Sequence, residues 1–259
     1  MGIADGFCDI ARYYDRIMEH VDYDRWFIVA ARLRELLPAE FRHLDAACGT
    51  GTLLRKFRRL GWNSLGIDLS IAMLAVGQKD ADAAPSAAAD LRSLPFCGSV
   101  HYVTCLFDSV NFLVGDGDVR QAFAEVRQAL TDNGLFYFDV VTERMVTDHF
   151  ENQEWTEHNG GFSTSWRSTY GRKERVAETR VRVNNSATGV FYERIYSQRQ
   201  IERALKEAGL TFLGAYDART WKRPSRKTVR IDFVAAKAPS PAMTKLFHRV
   251  SDEIARLMP

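Results

Sequence analysis

Three acids and two glycines carry the first chemistry this sequence offers. Residues 44–57, LDAACGTGTLLRKF, place Asp45, Gly49 and Gly51 between an apolar run and a helical pattern. In an open parallel sheet such a turn lies at the carboxyl end of a strand, where glycines let the backbone approach a ligand closely. A dinucleotide fingerprint has a third glycine at the next position of its pattern, so that the helix packs tightly and faces a pyrophosphate. Here that position is Leu54. Asp45 sets a carboxylate beside the loop, which disfavours an anion and suits an amine or a sulfonium. Asp68, at the end of NSLGIDLS, can accept both hydroxyls of a ribose from the tip of the neighbouring strand. Asp90 opens DLRSLPF, where its carboxylate and the following N–H could read an adenine edge. Acids on successive strand ends with glycines between them describe a site for adenosine bearing a positively charged tail.

The elements that must position these residues are legible from periodicity. Residues 10–38 carry apolar side chains at helical spacing and stop at Pro38, which fits two helices. Short apolar runs then alternate with helical patterns: FRHLDAA, the helix 52–60, NSLGIDL, the helix 71–78, a weak strand near SAAAD, VHYVTCLFD, the helix 119–130, and GLFYFDVV. That alternation predicts a parallel sheet with helices on both faces. From Phe162 the period becomes two: 162–170, a GRKE turn, 176–183 and VFYERIY predict a small inserted antiparallel sheet. The parent pattern resumes with SQRQIERALKEAGL, TFLGAYD, a basic loop and TVRIDFVAAK, and an amphipathic helix closes the chain.

LDAACGTG, GIDLSIAMLAVG, DLRSLPF and CLFDSVNFL resemble, in order and spacing, the cofactor motifs of class I S-adenosylmethionine-dependent methyltransferases, over roughly residues 10–140. YYDRIMEHVDYDRW and YERIYSQRQIERALKEAGL are similar to the bacterial small-molecule branch of that family. The resemblance implies an α/β fold: a Rossmann-like sheet, mostly parallel with the last strand antiparallel, helices on both faces, and an inserted antiparallel β lid. It divides the chain into a core of 1–150 and 197–238, with 1–38 as a helical cap, a lid at 151–196 and a terminal helix at 239–259. It implies S-adenosyl-L-methionine as cofactor, S-adenosyl-L-homocysteine as product, and in-line methyl transfer to a small-molecule acceptor, oxygen or nitrogen ahead of carbon. By position it sets Asp45 near the cofactor's amine and wraps Ala47, Cys48, Gly49 and Gly51 around its methionine part, with no chemistry for the Cys48 thiol. It puts Asp68 on the ribose, Leu69 and Met73 near the adenine, Asp90 and Leu91 on the adenine edge, Phe107 and Asp108 near the reactive methyl, and Tyr14 over the cofactor.

Other candidates come from residue type. His149 and His20 could reach an acceptor as general bases, and Asp108 could serve there or merely cap the turn after it. Trp155, Trp166 and Tyr170 could line an acceptor pocket or pack the lid onto the core; Arg194 in YERIY could point inward on an alternating strand. Arginines and lysines crowd 172–182 and 219–230, a pattern that most often marks a solvated face. With 35 basic and 33 acidic residues the charge is nearly balanced, giving no general drive toward nucleic acid or a membrane. Four cysteines lack paired or zinc-like spacing, so no metal is expected. A cytoplasmic monomer or homodimer is the expectation. The competing readings are an RNA-modifying methyltransferase, a protein that holds the cofactor without transferring its methyl, and a nicotinamide oxidoreductase, against which Leu54 counts.

Overall fold

In a computed structural model that describes residues 5–159, 161–184 and 186–258, side-chain parity along the strands sets the layers. Strand β1 (Arg42–Ala46) sends Leu44 and Ala46 to one face and His43 and Asp45 to the other. Strand β4 (Val100–Cys105) splits Val103 and Cys105 from Tyr102, and β5 (Leu130–Val141) splits Phe136, Phe138 and Val140 from Leu135 and Tyr137. Residues on one face of a sheet recur every second position, so each strand feeds two cores. One core is closed by α5 (Asp118–Ala129) and α7 (Gln198–Glu207). The other is closed by α2 (Asp24–Leu33), α3 (Thr52–Arg59) and α8 (Pro241–Leu257).

The strands β1, β2 (Asn63–Asp68), β3 (Ser86–Ala88), β4, β5, β10 (Thr211–Asp217) and β11 (Arg230–Ala236) form one sheet in the order β10-β11-β5-β4-β1-β2-β3. The last strand, β11, runs antiparallel to both neighbours, β5 and β10, while the pairs from β5 to β3 are parallel. The chain reverses order at β1, so the carboxyl ends of β1 and β4 flank a crevice of the kind in which α/β sheets bind ligands. The final helix starts where Ser240 caps it and Pro241 takes its first turn. Its Met243, Phe247, Val250 and Ile254 pack on the chain's own sheet beside α2, so this stripe has its partner within the chain.

A separate antiparallel sheet has the order β6-β7-β8-β9: β6 (Gln153–Asn159), β7 (Phe162–Gly171), β8 (Val176–Val183) and β9 (Ala187–Arg194). Three runs were expected; β6 is the fourth. Its sequence, QEWTEHN, has no apolar alternation because it is an edge strand with one exposed face, and Trp155 supplies its main packing by stacking on Trp166. Between the sheets lie α6 (Glu143–His149), and before the core α1 (Ala11–Ile17); α4 (Ile71–Gly77) follows β2. Among the described residues no helix is long and apolar enough to cross a membrane, and no cluster of metal-ligating side chains is present.

Candidate active site

The turn after β1 is built on backbone that ordinary residues avoid. Ala47, Gly49 and Gly51 have φ of 59°, 58° and 85°. Phe107 and Asp108, after the neighbouring β4, have φ of 62° and 53°. Such left-handed positions cost a non-glycine residue on the order of 1–3 kcal/mol and persist where the surroundings hold them, commonly at ligand sites. Leu54 in place of glycine has a structural answer. A Cβ on Gly66 of β2 would lie 2.5 Å from Leu54 Cδ2 and 2.7 Å from Cys48 Sγ. The space that lets α3 approach the sheet is therefore opened on the strand rather than on the helix.

Asp45 is buried at the carboxyl end of β1, and its Oδ1 accepts the Thr104 hydroxyl at 2.7 Å. Burial lifts its carboxyl to about 7; the Thr104 bond opposes this and Asp68 adds to it. Beneath Thr104, His43 places Nε2 2.9 Å from Thr104 Oγ1 and Nδ1 2.9 Å from Ser64 Oγ. Burial pushes this imidazole down to about 3, so it is neutral, and a proton on Nε2 is the arrangement that lets Thr104 donate to Asp45. A chain from Ser64 through His43 and Thr104 thus orients Asp45; no sequence motif had singled out His43. Asp68 accepts Gly49 N–H and Ser70 N–H, each at 2.8 Å, tying the glycine loop to the end of β2. Burial raises its carboxyl as well. Two neighbouring carboxylates, each raised by burial, leave this pocket short of positive charge.

Met73 lies against the loop, with Cε 3.5 Å from where a Gly49 Cβ would stand, and Leu69 is exposed at the rim. Asp90 is engaged by Arg92 through both oxygens, at 3.0 and 2.7 Å, and this pairing holds its carboxyl below the usual range. Leu91 packs against the core. Tyr13 and Tyr14 diverge: Tyr13 rests on Phe162, whereas Tyr14 meets Phe7 edge-on and lies beside Tyr23. Burial raises the Tyr14 hydroxyl, and the charges of Asp108, Asp15 and Asp68 raise it further, which sets the ring among those acids. The segment before α1 and α1 itself cross the same region, with Ser70 donating to Asp5 at 2.7 Å and Thr50 donating to Asp15 at 2.5 Å.

Asp108 occupies the cap position of the turn Ser109–Phe112 but makes no side-chain capping bond. Its carboxylate lies 3.2 Å from Arg230 Nη2, and its N–H donates to Asp139. Asp139 also accepts Phe107 N–H at 2.7 Å, Trp26 Nε1 at 3.1 Å and the Arg230 guanidinium. Opposite it across β5 and β11 is Asp232, paired with Arg25 at 2.7 Å. Two facing buried carboxylates would repel; two arginines, stacked near Trp26, neutralise them. None of these four residues was singled out for this role, although an acid inside FYFDVV and RIDFVAA is the mark of a buried polar network.

Several expectations are corrected. His149 ends α6, whose buried face is Val146, and is exposed; His20 is exposed and bonds the Ile17 carbonyl, so neither joins the cluster. Tyr170 is buried against Val146 and Ile195 with its hydroxyl donating to Glu143, so it packs the second sheet onto the core. Trp166 packs toward α1 and stacks on Trp155, whose indole donates to Glu157. Arg194 points away and pairs with Asp116 at 3.1 Å. Its neighbour Glu193 faces inward instead, where the Asp108 and Arg230 charges act on it.

The profile of a methyltransferase domain family matches residues 44–134, which span β1 to the start of β5. A provisionally named methyltransferase of Geobacillus sp. (strain WCH70) is 29% identical over 241 residues, covering 88% of this chain and 98% of that protein. The dTDP-3-amino-3,6-dideoxy-alpha-D-glucopyranose N,N-dimethyltransferase of Streptomyces fradiae is 28% identical, covering 80% of this chain and 86% of its own. An S-adenosylmethionine-dependent methyltransferase structure from Clostridium acetobutylicum superimposes with a TM-score of 0.77 at 22% identity, over 87% of this chain and 96% of that one. Domain profile and relatives agree on an S-adenosylmethionine-dependent methyltransferase, against the nicotinamide reading, and the fold is that of the class I methyltransferases.

Proposed function

We propose that the chain transfers a methyl group to oxygen or nitrogen of a small molecule held between the carboxyl edge of the main sheet and the second sheet. The observation that carries this reading is the convergence of Asp45, Asp68 and Asp108, with Tyr14 among them, beneath the inner face of β9. The excess of buried negative charge suits a sulfonium and an amine. In this reading Asp45 faces the cofactor's amine and residues 47–51 wrap its methionine part. Asp68 releases its backbone partners to hold the ribose, and Leu69 and Met73 flank the adenine. Asp90 meets the adenine edge with Leu91, while Phe107 and Asp108 lie near the methyl and Tyr14 covers them. The cofactor supplies the activated methyl when bound; these residues supply orientation and exclude water. Transfer is in line, with nucleophile, methyl carbon and sulfur collinear.

A small acceptor is favoured over RNA because three arginines in and beside the second sheet are committed. Arg172 pairs with Glu151, Arg175 with Glu143 and Arg180 with Glu178, which draws their charge away from a phosphate backbone. The Streptomyces relative's amino-sugar acceptor favours a small molecule as well. The test is calorimetric titration with S-adenosylhomocysteine, with NADH as control, followed by labelled-methyl transfer to small-molecule and transfer-RNA pools. Micromolar binding of S-adenosylhomocysteine alone and label in the small-molecule pool are expected. Label in RNA would overturn the acceptor class, and failure to bind S-adenosylhomocysteine would overturn the site.

A further inference from the structure

We propose that Glu193 is the residue that selects the acceptor, by receiving a positively charged amine group of the small molecule to be methylated. The inference rests on the reading of this crevice as the methyl-transfer site, and it names the acceptor's chemistry. Its first support is register. Glu193 stands across from Ala177, which stands across from Tyr170; Phe191 aligns with Thr179 and Ser168, and Gly189 with Val181 and Trp166. Cross-strand partners share a face, and this face is the buried one, with Tyr170, Ser168, Ala177, Val181 and Gly189 all withdrawn from solvent. Along β7 to β9 it consists of apolar and hydroxyl side chains plus a single carboxylate, Glu193.

The second support is position. Strand β9 lies on the turn Ser109–Phe112 that follows Asp108. Buried Asn111 donates to the Arg194 carbonyl at 2.8 Å and accepts Val141 N–H at 3.0 Å, which clamps the end of β9 to β5. This clamp turns Arg194 out and Glu193 in, and Phe191 one pair along rests on Phe7 with ring centroids 4.6 Å apart. Among the described residues no hydrogen bond or ion pair engages the Glu193 carboxylate. Arg230, the cation nearest to it in effect, is already shared between Asp108 and Asp139.

A half-buried carboxylate without a cation is costly unless it takes up a proton or meets one. Burial lifts Glu193 to about 8, Asp108 adds to the rise and Arg230 opposes it. An ammonium entering beside Glu193 favours the ionised form, so the pair forms together. An alcohol of the same shape gains no such interaction and leaves the carboxylate uncompensated. The preference is therefore for nitrogen acceptors: the ammonium passes a proton to the Glu193 carboxylate, and the lone pair so freed attacks the methyl carbon as the sulfur leaves as a neutral thioether.

The test uses the full chain saturated with S-adenosylhomocysteine. Two amines, 3-amino-3-deoxy-D-glucose and 2-phenylethylamine, are titrated calorimetrically against their hydroxyl counterparts, D-glucose and 2-phenylethanol. At least one amine is expected to bind at least about tenfold more tightly than its counterpart. Glu193→Gln should abolish that preference while S-adenosylhomocysteine affinity stays within about twofold of the parent chain's, which also reports that the variant is folded. Glu193→Ala serves as the second variant. Binding of neither amine, equal binding of amine and alcohol, or a preference that survives in both variants would overturn the proposal. Failure of the parent chain to bind S-adenosylhomocysteine would instead strike the reading on which it rests.

Discussion

A carboxylate placed for a ligand rather than for the fold leaves a signature in stability, and Asp45 is the clearest case. In the folded chain burial holds its proton up to about pH 7, whereas an unfolded aspartate releases it near its ordinary value of 3.8. Between those values the folded state binds the extra proton, so stability from this group is greatest at low pH and falls as pH rises through the window. Asp45→Asn can still accept from Thr104 and removes the titration. Its melting temperature should exceed that of the parent chain at pH 8, with the gap closing toward pH 5, while S-adenosylhomocysteine affinity falls. A constant gap across pH would count against the assignment. Asp68→Ala removes the acceptor of two loop N–H groups and should weaken S-adenosylhomocysteine at least about tenfold, from a lost charge-assisted bond of about 1.5–3 kcal/mol, in a chain that still melts cooperatively. Both acids were legible in the sequence because strand ends and glycine spacing announce them. Glu193 was not: parity on an alternating strand depends on a register that Asn111 fixes from more than eighty residues away.

At the scale of elements, the packing of α3 on β2 explains why a leucine can stand where nucleotide folds often have glycine. Leu54 is almost wholly buried, and the room for it comes from Gly66 across the interface. Gly66→Ala should cost about 1–3 kcal/mol by overpacking and shift Cys48 in the cofactor loop. Adding Leu54→Ala should recover part of that loss, because the two positions share one volume; strictly additive melting shifts in the double-mutant cycle would show that they do not couple. The alternation of strands and helices from β1 to β5 was readable because short apolar runs alternate with helical spacing, and β4 and β5 carry apolar residues on both faces. Strand β6 was not, since an edge strand exposed on one side needs few apolar residues and takes its pairing from β7. The helix α6 starts where the Thr142 side chain caps it.

For the whole molecule the question is how two sheets with separate cores are kept in one arrangement over the crevice. The buried set of Arg25, Asp232, Asp139 and Arg230 joins α2, β5, β11 and the turn at 107–108 and fixes the core side of the crevice. The second sheet is held to that core by Asn111 and Tyr170. A further tie is residues 5–7. Asp5 accepts from Ser70 at the start of α4, and a Cβ on Gly6 would lie 2.2 Å from the Val190 carbonyl of β9. Phe7 sits among Tyr14, Phe112 and Phe191, with ring centroids 5.8, 5.8 and 4.6 Å away. One aromatic side chain therefore touches α1, the turn after Asp108 and the second sheet. Stability is local where few buried contacts hold a segment, so loss of this ring should loosen those parts and spare the main sheet. Phe7→Ala is expected to speed amide exchange in residues 8–17 and 187–194, to leave β1, β4 and β5 protected, and to weaken S-adenosylhomocysteine several-fold. Saturating S-adenosylhomocysteine should restore part of the lost protection, since a ligand that binds only the closed arrangement stabilises it by mass action. Exchange that rises uniformly across both sheets would show that Phe7 supports the fold as a whole; faster exchange in α1 with β9 unchanged would show that the segment closes over the cofactor without holding the second sheet.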